Sequence, residues 1–395
     1  MKLILKNLSC LYFFVKSFLI LKIYSTNEVK NYDNNLNINK NDSSDYRDSL
    51  DETQIYRSSE DNSIDDNRID NISSSKELFE YACTTHTNIS ICMIDIVGFS
   101  QWCSKQKPID IFKTMTKYNA FLNSKINEYE DIEKVELVGD SVLIVGGLYT
   151  NDIKMNDMVC LCYDILSNIK TLKIIFEDET ISIRIGLHLG DVHSGFIRYP
   201  KKFQLFGNSI NVASRLESSS LPGVLHVSTK ALSVLNVKND HLSNFNIGKT
   251  LNQKFKGVGI IVSKLYFVKV NKIHVADDVL ITSKIIEHNL KKRFNIKSEI
   301  HTDVDSCFKS LKEKAYPCVI LDRYFDDFDI LQSLIEFRIW ESKYRTEPQK
   351  IILISSIDNG DFDEGFRNFE LYVDKIIDKK DNFLDTLLQN LDIYT

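Results

Sequence analysis

No C-x-x-C pair occurs among the eight cysteines of this 395-residue chain, which excludes the paired spacing of a zinc site. Cys10, Cys83, Cys92, Cys103, Cys160, Cys162, Cys307 and Cys318 are scattered, mostly in apolar runs, and read as reduced thiols of a cytosolic protein. No stripe of Lys and Arg interleaved with aromatics is present. With a formal charge of −6 and a pI near 5.8, nucleic acid is not an expected partner. No internal repeat is visible. What the chain does have is 43% hydrophobic content and length enough for two or three domains of roughly 100–200 residues.

The opening stretch, residues 1–25, is apolar, but Lys6 and Lys16 interrupt it and its runs fall short of the roughly 20 residues that a spanning helix needs. On a helix Lys2, Lys6, Ser9, Lys16 and Ser17 share one face, which suits a segment lying in a membrane interface. A signal peptide fits less well, because Lys16 breaks its core and no A-x-A site follows. A hydrophobic tail held by a partner fits the same pattern. The expected location is cytoplasmic, with peripheral anchoring through residues 1–25 as the membrane alternative. Residues 31–75 contain no Gly or Pro, nine Asn, and eleven acids against four basic residues. Such a stretch buries too little surface to offset its ordering entropy and is expected to be a disordered acidic linker.

From Thr85 to Val268, strand-length apolar runs alternate with helical patterns: "ISICMIDIV", then Pro108–Tyr129, then the hairpin "KVELVGDSVLIVGG", then Asp152–Ile169, then "ISIRIGLHLG". The order predicts an α/β (α+β) sandwich on a largely antiparallel or mixed sheet. From Asn271 to Thr395 a regular βα rhythm predicts a separate doubly wound parallel sheet.

Two acids stand at strand ends in the first region, Asp95 in "MIDIVGFS" and Asp140 in "LVGDS". Either alone is more often turn chemistry than a ligand. Taken with "RIGLHLGDVHSG", "FQLFGNSINVASRLES" and a late "KFKGVG", however, they resemble the catalytic domain of class III nucleotidyl cyclases in order and spacing. The resemblance covers almost all of residues 85–268. It implies a ferredoxin-like βαββαβ core and a head-to-tail dimer with active sites at the interface, here a homodimer because one chain holds all the parts. The ribose 3′-oxygen of a nucleoside triphosphate attacks the α-phosphate in line while pyrophosphate leaves, so charge must be neutralised at both ends. By resemblance Asp95 and Asp140, assisted by the Ile96 carbonyl, hold two Mg²⁺ or Mn²⁺ ions. Asn211 orients the ribose, Arg215 stabilises the pentavalent phosphate, and Arg184 and Lys256 contact the triphosphate.

In that family one residue on the strand before the hairpin glycine, and one before the "LFG" turn, read the purine. Here they are Glu136, which period-two alternation places on the strand's other side from Val135 and Leu137, and Gln204. A carboxylate accepts from guanine N1–H and the 2-amino group, whereas adenine N1 would repel it. The Gln204 amide can donate to guanine O6. GTP is therefore the favoured substrate. The alternatives are an adenylyl cyclase acting on ATP and a silent nucleotide-binding signalling scaffold. His188, between Gly186 and Gly190, reads as a core histidine.

The last region resembles response-regulator receiver domains. "HVADD" ends a strand with Asp277 and Asp278, "CVILD" ends another with Asp322, "LISS" offers Ser355, and "IIDKK" offers Lys379. In an open α/β sheet these strand ends meet on one edge. The resemblance makes Asp322 a phospho-acceptor beside one Mg²⁺, with Ser355 and Lys379 on the product oxyanion. It also makes a histidine kinase or phosphotransfer protein the expected upstream partner in a phosphorelay. Ile330, Ile376 and Lys380 stand where that family usually has Gly, an aromatic and Pro.

Overall fold

A computed structural model describes residues 83–391, apart from 151, 177–178, 198–201, 236–239, 327, 357–366 and 381. The apolar segment 1–25 and the acidic stretch 31–75 lie outside the described residues. Among the described residues no helix is long and apolar enough to cross a membrane.

The first region is built on β1 (Cys83–Ile96), β2 (Ile132–Val138), β3 (Ser141–Gly146) and β4 (Ile183–Ile197). Helices α1 (Phe99–Lys105) and α2 (Pro108–Ile126) follow β1, and α3 (Met155–Asn168) follows β3. Strand order is β4-β1-β3-β2 with every neighbour antiparallel, the βαββαβ arrangement expected. β5 (Lys202–Phe206) pairs with the end of β4, α4 (Asn208–Ser218) follows, and β6 (Val224–Ser228) runs parallel to the start of β4, both on the edge of β4 away from β1. β7 (Phe245–Phe255) and β8 (Gly259–Lys269) complete this mixed sheet.

The continuous apolar run in β1 has a physical reason: both faces of the sheet are covered. Cys92, Ile94 and Ile96 point to α2 and α3, where Tyr118, Leu122, Met158 and Leu161 are buried with them. Ile89, Ile91 and Met93 point the other way, against Leu143, Val145 and Ala213. Truncating a fully buried side chain such as Ile94 to alanine should cost about 2–5 kcal/mol. Pro108 starts α2 at a position where the missing N–H is harmless.

The second region contains β9 (Lys272–Ala276), α5 (Leu280–Phe294), β10 (Lys297–His301), α6 (Val304–Glu313), β11 (Val319–Asp322), α7 (Leu331–Tyr344), β12 (Ile351–Ser355), β13 (Lys375–Asp378) and α8 (Phe383–Leu391). Its five strands are all parallel in the order β10-β9-β11-β12-β13, and a separate core lies on each face. This is the doubly wound sheet that the βα rhythm predicts.

The boundary near residue 270 is less clean than the sequence suggests. Lys314 and Ala315, at the end of α6, pair in parallel with β8 and so extend the first region's sheet. The Arg345 guanidinium donates to the carbonyls of Leu311 (2.7 Å) and Lys314 (2.6 Å) and lies 4.2 Å from the Phe267 ring centre. Trp340 of α7 packs edge-on against Phe267. Thr346 Oγ1 donates to the Ile247 carbonyl at 2.6 Å. An apolar seam thus joins α7 to β7 and β8, with Arg345 Nη2 hydrogen-bonded across it while its Nε and Nη1 are buried without a hydrogen-bond partner.

Candidate functional site

Two clusters of carboxylates form at strand ends, one in each region. In the first, β1 runs out at Asp95 and Ile96, and Gly98 adopts φ 74° to turn the chain into α1. The β2–β3 turn passes through Gly139 at φ 62° and delivers Asp140. Because β3 is the neighbour of β1, the turn comes back over the end of β1, and Ile96 N donates to Asp140 Oδ2 at 3.3 Å. Burial, and then the charge of Asp95, push the Asp140 carboxyl up to about 6.

Arg184 is the register partner of Asp95 on β4 and donates to Asp95 Oδ2 at 2.7 Å. On its other side Arg184 Nε makes a 3.1 Å ion pair with Glu217 Oε1, without a directed hydrogen bond. Glu217 is only 5% exposed. Burial and the charge of Asp95 push its carboxyl up to about 7, against the opposing pull of Arg184. An arginine on a strand would by itself be expected to reach into solvent; here it is clamped between two acids.

Two glycines make this possible. A Cβ at Gly186 would lie 2.2 Å from Glu217 N and 2.3 Å from the Ala213 carbonyl, and one at Gly190 would lie 2.1 Å from Ser209 Oγ. Helix α4 therefore rests directly on the β4 backbone. Its buried stripe is Val212, Ala213, Leu216 and Glu217. Sequence reasoning passed over Glu217, although it lies four residues after Ala213 in that stripe, where an acid facing inward needs a cation.

The other expected residues divide. Asn211 and Arg215 do share a face of α4, as their spacing requires, but that face is exposed and turned away from the sheet. Lys256 is exposed in the β7–β8 turn. Among the described residues neither Arg215 nor Lys256 pairs with Asp95 or Asp140 within 4.0 Å. Gln204 is half-buried on β5, opposite Gly195.

Glu136 requires a correction. Simple alternation places it across the strand from Val135 and Leu137. In the structure the register shifts between Lys134, opposite Ile144, and Glu136, opposite Leu143, so Val135 is an inserted residue. A β-bulge of this kind turns Val135 and Glu136 to one face. That face carries Met93, Leu143, Phe203 and Leu205, and β1 presents Asp95 on it two residues beyond Met93. Lys134 points to the opposite face, where it donates to the side-chain carbonyls of Asn119 and Asn123 on α2.

His188 has the structural role expected of it: it is 7% exposed, its Nδ1 lies 2.8 Å from Ser228 Oγ, and burial pushes it down to about 4.

The second cluster gathers every residue that the sequence places there. Carboxylate oxygens of Asp277, Asp278 and Asp322 lie within 4.8 Å of one another. Lys379 Nζ donates to Asp277 Oδ2 at 2.8 Å and to Asp322 Oδ2 at 2.6 Å. Burial alone would lower the Lys379 ammonium, but the two acids outweigh it and hold it above its ordinary value. Burial also raises Asp322, with Lys379 acting against it. Ser355 is fully buried and its Oγ has no hydrogen-bond partner. Ile330 has a local explanation: it is buried, and its N–H closes on the Arg323 carbonyl at 3.1 Å after a small ribbon of Tyr324–Phe325 and Phe328–Asp329.

Both clusters suit divalent cations on their own geometry. In the first, the charge of Asp95 raises the proton affinity of Asp140, and a cation there would relieve the repulsion. In the second, three converging carboxylates face a single ammonium.

Residues 81–269 match the family described as the adenylate and guanylate cyclase catalytic domain. The chain is 33% identical over 152 residues to guanylate cyclase 2G of Mus musculus, covering 38% of this chain and 14% of that protein. It is 31% identical over 151 residues to retinal guanylyl cyclase 2 of Homo sapiens, covering 37% and 14%. The chain thus spans a small part of the curated relatives it matches. Among solved structures it is similar to the guanylate cyclase domain of RhGC from Catenaria anguillulae in complex with GTP, at 26% identity and a TM-score of 0.42, covering 47% of this chain and 98% of that one.

Proposed function

From the premise that residues 81–269 match a cyclase catalytic domain, we propose that this domain converts GTP to cyclic GMP and pyrophosphate, as a homodimer with two equivalent sites. The observation that carries the reading is the Asp95–Asp140 pair, held at adjacent strand ends with Arg184 beside it. Two Mg²⁺ or Mn²⁺ ions held by these acids and the Ile96 carbonyl would lower the pKa of the ribose hydroxyl and neutralise the leaving phosphates.

The chain's own residues account for the rest. Arg184 is pre-paired with Asp95 and Glu217, so its guanidinium stays at the site at either occupancy and can turn to the triphosphate while Glu217 retains it. Asn211 and Arg215 face away from their own chain's acids, which suits delivery of the ribose and α-phosphate contacts to a second protomer's site. The bulge at Val135 brings Glu136 to the face of the sheet that carries Asp95, where its carboxylate accepts from guanine N1–H and the 2-amino group. Gln204 supplies a donor for O6. The relatives named above are guanylate cyclases, which favours the same base.

The deciding assay incubates the purified chain with Mn²⁺ and GTP or ATP and identifies the product by mass. Cyclic GMP from GTP is expected; cyclic AMP alone would replace the base assignment, and no cyclic product would leave the silent scaffold. The base readers are tested by Glu136→Lys with Gln204→Asp, which should move the preference toward ATP by about 10-fold or more. An unchanged ratio removes both from base reading.

For the second region the reading is a phospho-accepting regulatory domain. An Asp322 carboxylate oxygen attacks the phosphorus of a phosphohistidine or small phosphodonor, whose bond to its leaving group breaks. Lys379 and the buried Ser355 hydroxyl then hold the new oxyanions. A single Mg²⁺ held by Asp277, Asp278 and Asp322 would neutralise the transferred group. Helix α7 is the next helix after Asp322; it packs on β8 through Trp340, and Arg345 follows it directly. A change at Asp322 therefore has a short covalent path to the catalytic sheet. Cyclase turnover with and without acetyl phosphate should differ in the native chain and not in Asp322→Asn; equal rates throughout would remove the regulatory role.

A further inference from the structure

Between the two regions lies a cavity of about 350 Å³ that neither carboxylate cluster lines. Its walls are the end of α3 and the start of β4 on one side, β10 and the end of α6 on the other, and the β8–β9 connection across the floor. Five lysines line it, Lys170, Lys269, Lys272, Lys297 and Lys314, against two glutamates, Glu299 and Glu313, a surplus of three positive charges.

The glutamates are already engaged. Lys314 Nζ lies 2.5 Å from Glu299 Oε1, with Lys272 at 3.8 Å from Oε2, and Lys170 lies 2.7 Å from Glu313 Oε2. Lys314 is poorly hydrated, and burial pushes its ammonium below the ordinary value despite Glu299. Three buried polar atoms of lining residues have no hydrogen-bond partner: Ser182 Oγ, on a residue 6% exposed, Glu313 Oε1, on a residue 3% exposed, and Glu299 Oε2. Lys269 and Lys297 are exposed, and an excess of ammonium groups beside orphaned polar atoms suits a ligand of opposite charge. Lysines act as point charges toward compact, multiply charged anions, and the volume sits at the small end of ligand pockets.

We propose that this cavity binds a small phosphate-bearing anion that bridges the two regions. The lysines meet its oxygens, Ser182 Oγ donates to it, and Glu313 Oε1 accepts from a protonated oxygen of the ligand. Lys170 and Lys269 belong to the first region, Lys297 and Lys314 to the second, and Lys272 begins β9 just past the connection. An occupied cavity therefore stiffens the same junction that α7 and Arg345 span. The proposal does not depend on the cyclase reading.

The test titrates the full-length chain with inorganic pyrophosphate, and separately with orthophosphate, by calorimetry in metal-free buffer containing EDTA. The native chain is compared with Lys272→Ala/Lys297→Ala, whose side chains reach solvent, and with Arg215→Ala/Lys256→Ala in the candidate cyclase site. One saturable site per chain is expected, weakened about tenfold or more by the Lys272/Lys297 pair and unchanged by the Arg215/Lys256 pair. Amide exchange around residues 269–272 and 297–299 should slow on binding, and the affinity should fall as salt rises. Absence of saturable binding, or binding indifferent to the Lys272/Lys297 pair, overturns the proposal. So does binding lost only with the Arg215/Lys256 pair, which would place the anion in the cyclase site.

Discussion

Beside the end of β1 Asp95 and Glu217 share one guanidinium, whereas at the end of β9 three acids gather and two of them, Asp277 and Asp322, share one ammonium; the two clusters differ in how much a single chain supplies. Asp277, Asp278, Asp322, Ser355 and Lys379 come from four strand ends of one parallel sheet, and no element has to leave the fold to complete the group. Asp95, Asp140 and Arg184 are assembled with equal economy, but Asn211 and Arg215 look outward from α4. A parallel sheet collects its functional ends on one edge of one domain. The antiparallel βαββαβ sheet holds its acids at one end and carries the remaining candidate groups on a helix that faces elsewhere, so the proposed chemistry would call for a second copy.

The largest expected effect separates the clusters outright. Asp140→Ala should lower cyclic-nucleotide formation by about 10²–10³-fold or more while phosphate incorporation at Asp322 from acetyl phosphate continues. Loss of both in a chain that still folds would show that the clusters are not independent. A smaller effect probes the one cation that needs a holder. Glu217→Gln leaves Arg184 with Asp95 alone and should lower kcat/KM for the triphosphate by about tenfold, with Glu217→Asp recovering part of it. Unchanged kinetics in Glu217→Gln would make that carboxylate a packing feature only.

The smallest effect concerns stability. His226 sits between the Leu216 carbonyl, 2.9 Å from Nδ1, and Ser263 Oγ, 2.7 Å from Nε2, and burial pushes it down to about 4. A histidine whose folded pKa is depressed leaves stability intact above pH 6.5 and loses it as pH falls from 6.5 toward 4. The loss is at most roughly 3 kcal/mol for this group. Denaturant titrations at about pH 7 and about pH 5, either side of the ordinary histidine value, should show the drop in the native chain and a shallower one in His226→Gln. Equal slopes would mean that His226 does not govern the acid limb.

Strand-end chemistry was legible in the sequence because short motifs carry it: Asp95 and Asp140 each precede or follow a glycine turn, and the βα rhythm after residue 271 dictates where Asp277, Asp322, Ser355 and Lys379 converge. Three things were not. The bulge at Val135 breaks period two without any glycine or proline to announce it, so the face of Glu136 came out of alternation wrongly paired. Glu217 was obscured by its neighbours in "NVASRLES", where Asn211 and Arg215 draw attention to the outward face while the inward stripe ends on an acid. The two-residue strand Lys314–Ala315 is too short for any periodicity, yet it ties the second region to the first region's sheet. In each case the deciding fact is a long-range contact that local pattern does not encode.

The dimeric arrangement is the claim on which the rest of the cyclase reading stands, and mixing two inactive chains tests it most directly. Asp140→Ala and Arg215→Ala chains, each inactive alone, are combined in equal amounts and assayed with Mn²⁺ and GTP. Random pairing makes half of the dimers mixed with one intact site each, so recovery of about a quarter of native activity is expected. No recovery, with mixed dimers shown to form, would contradict a site shared between two chains.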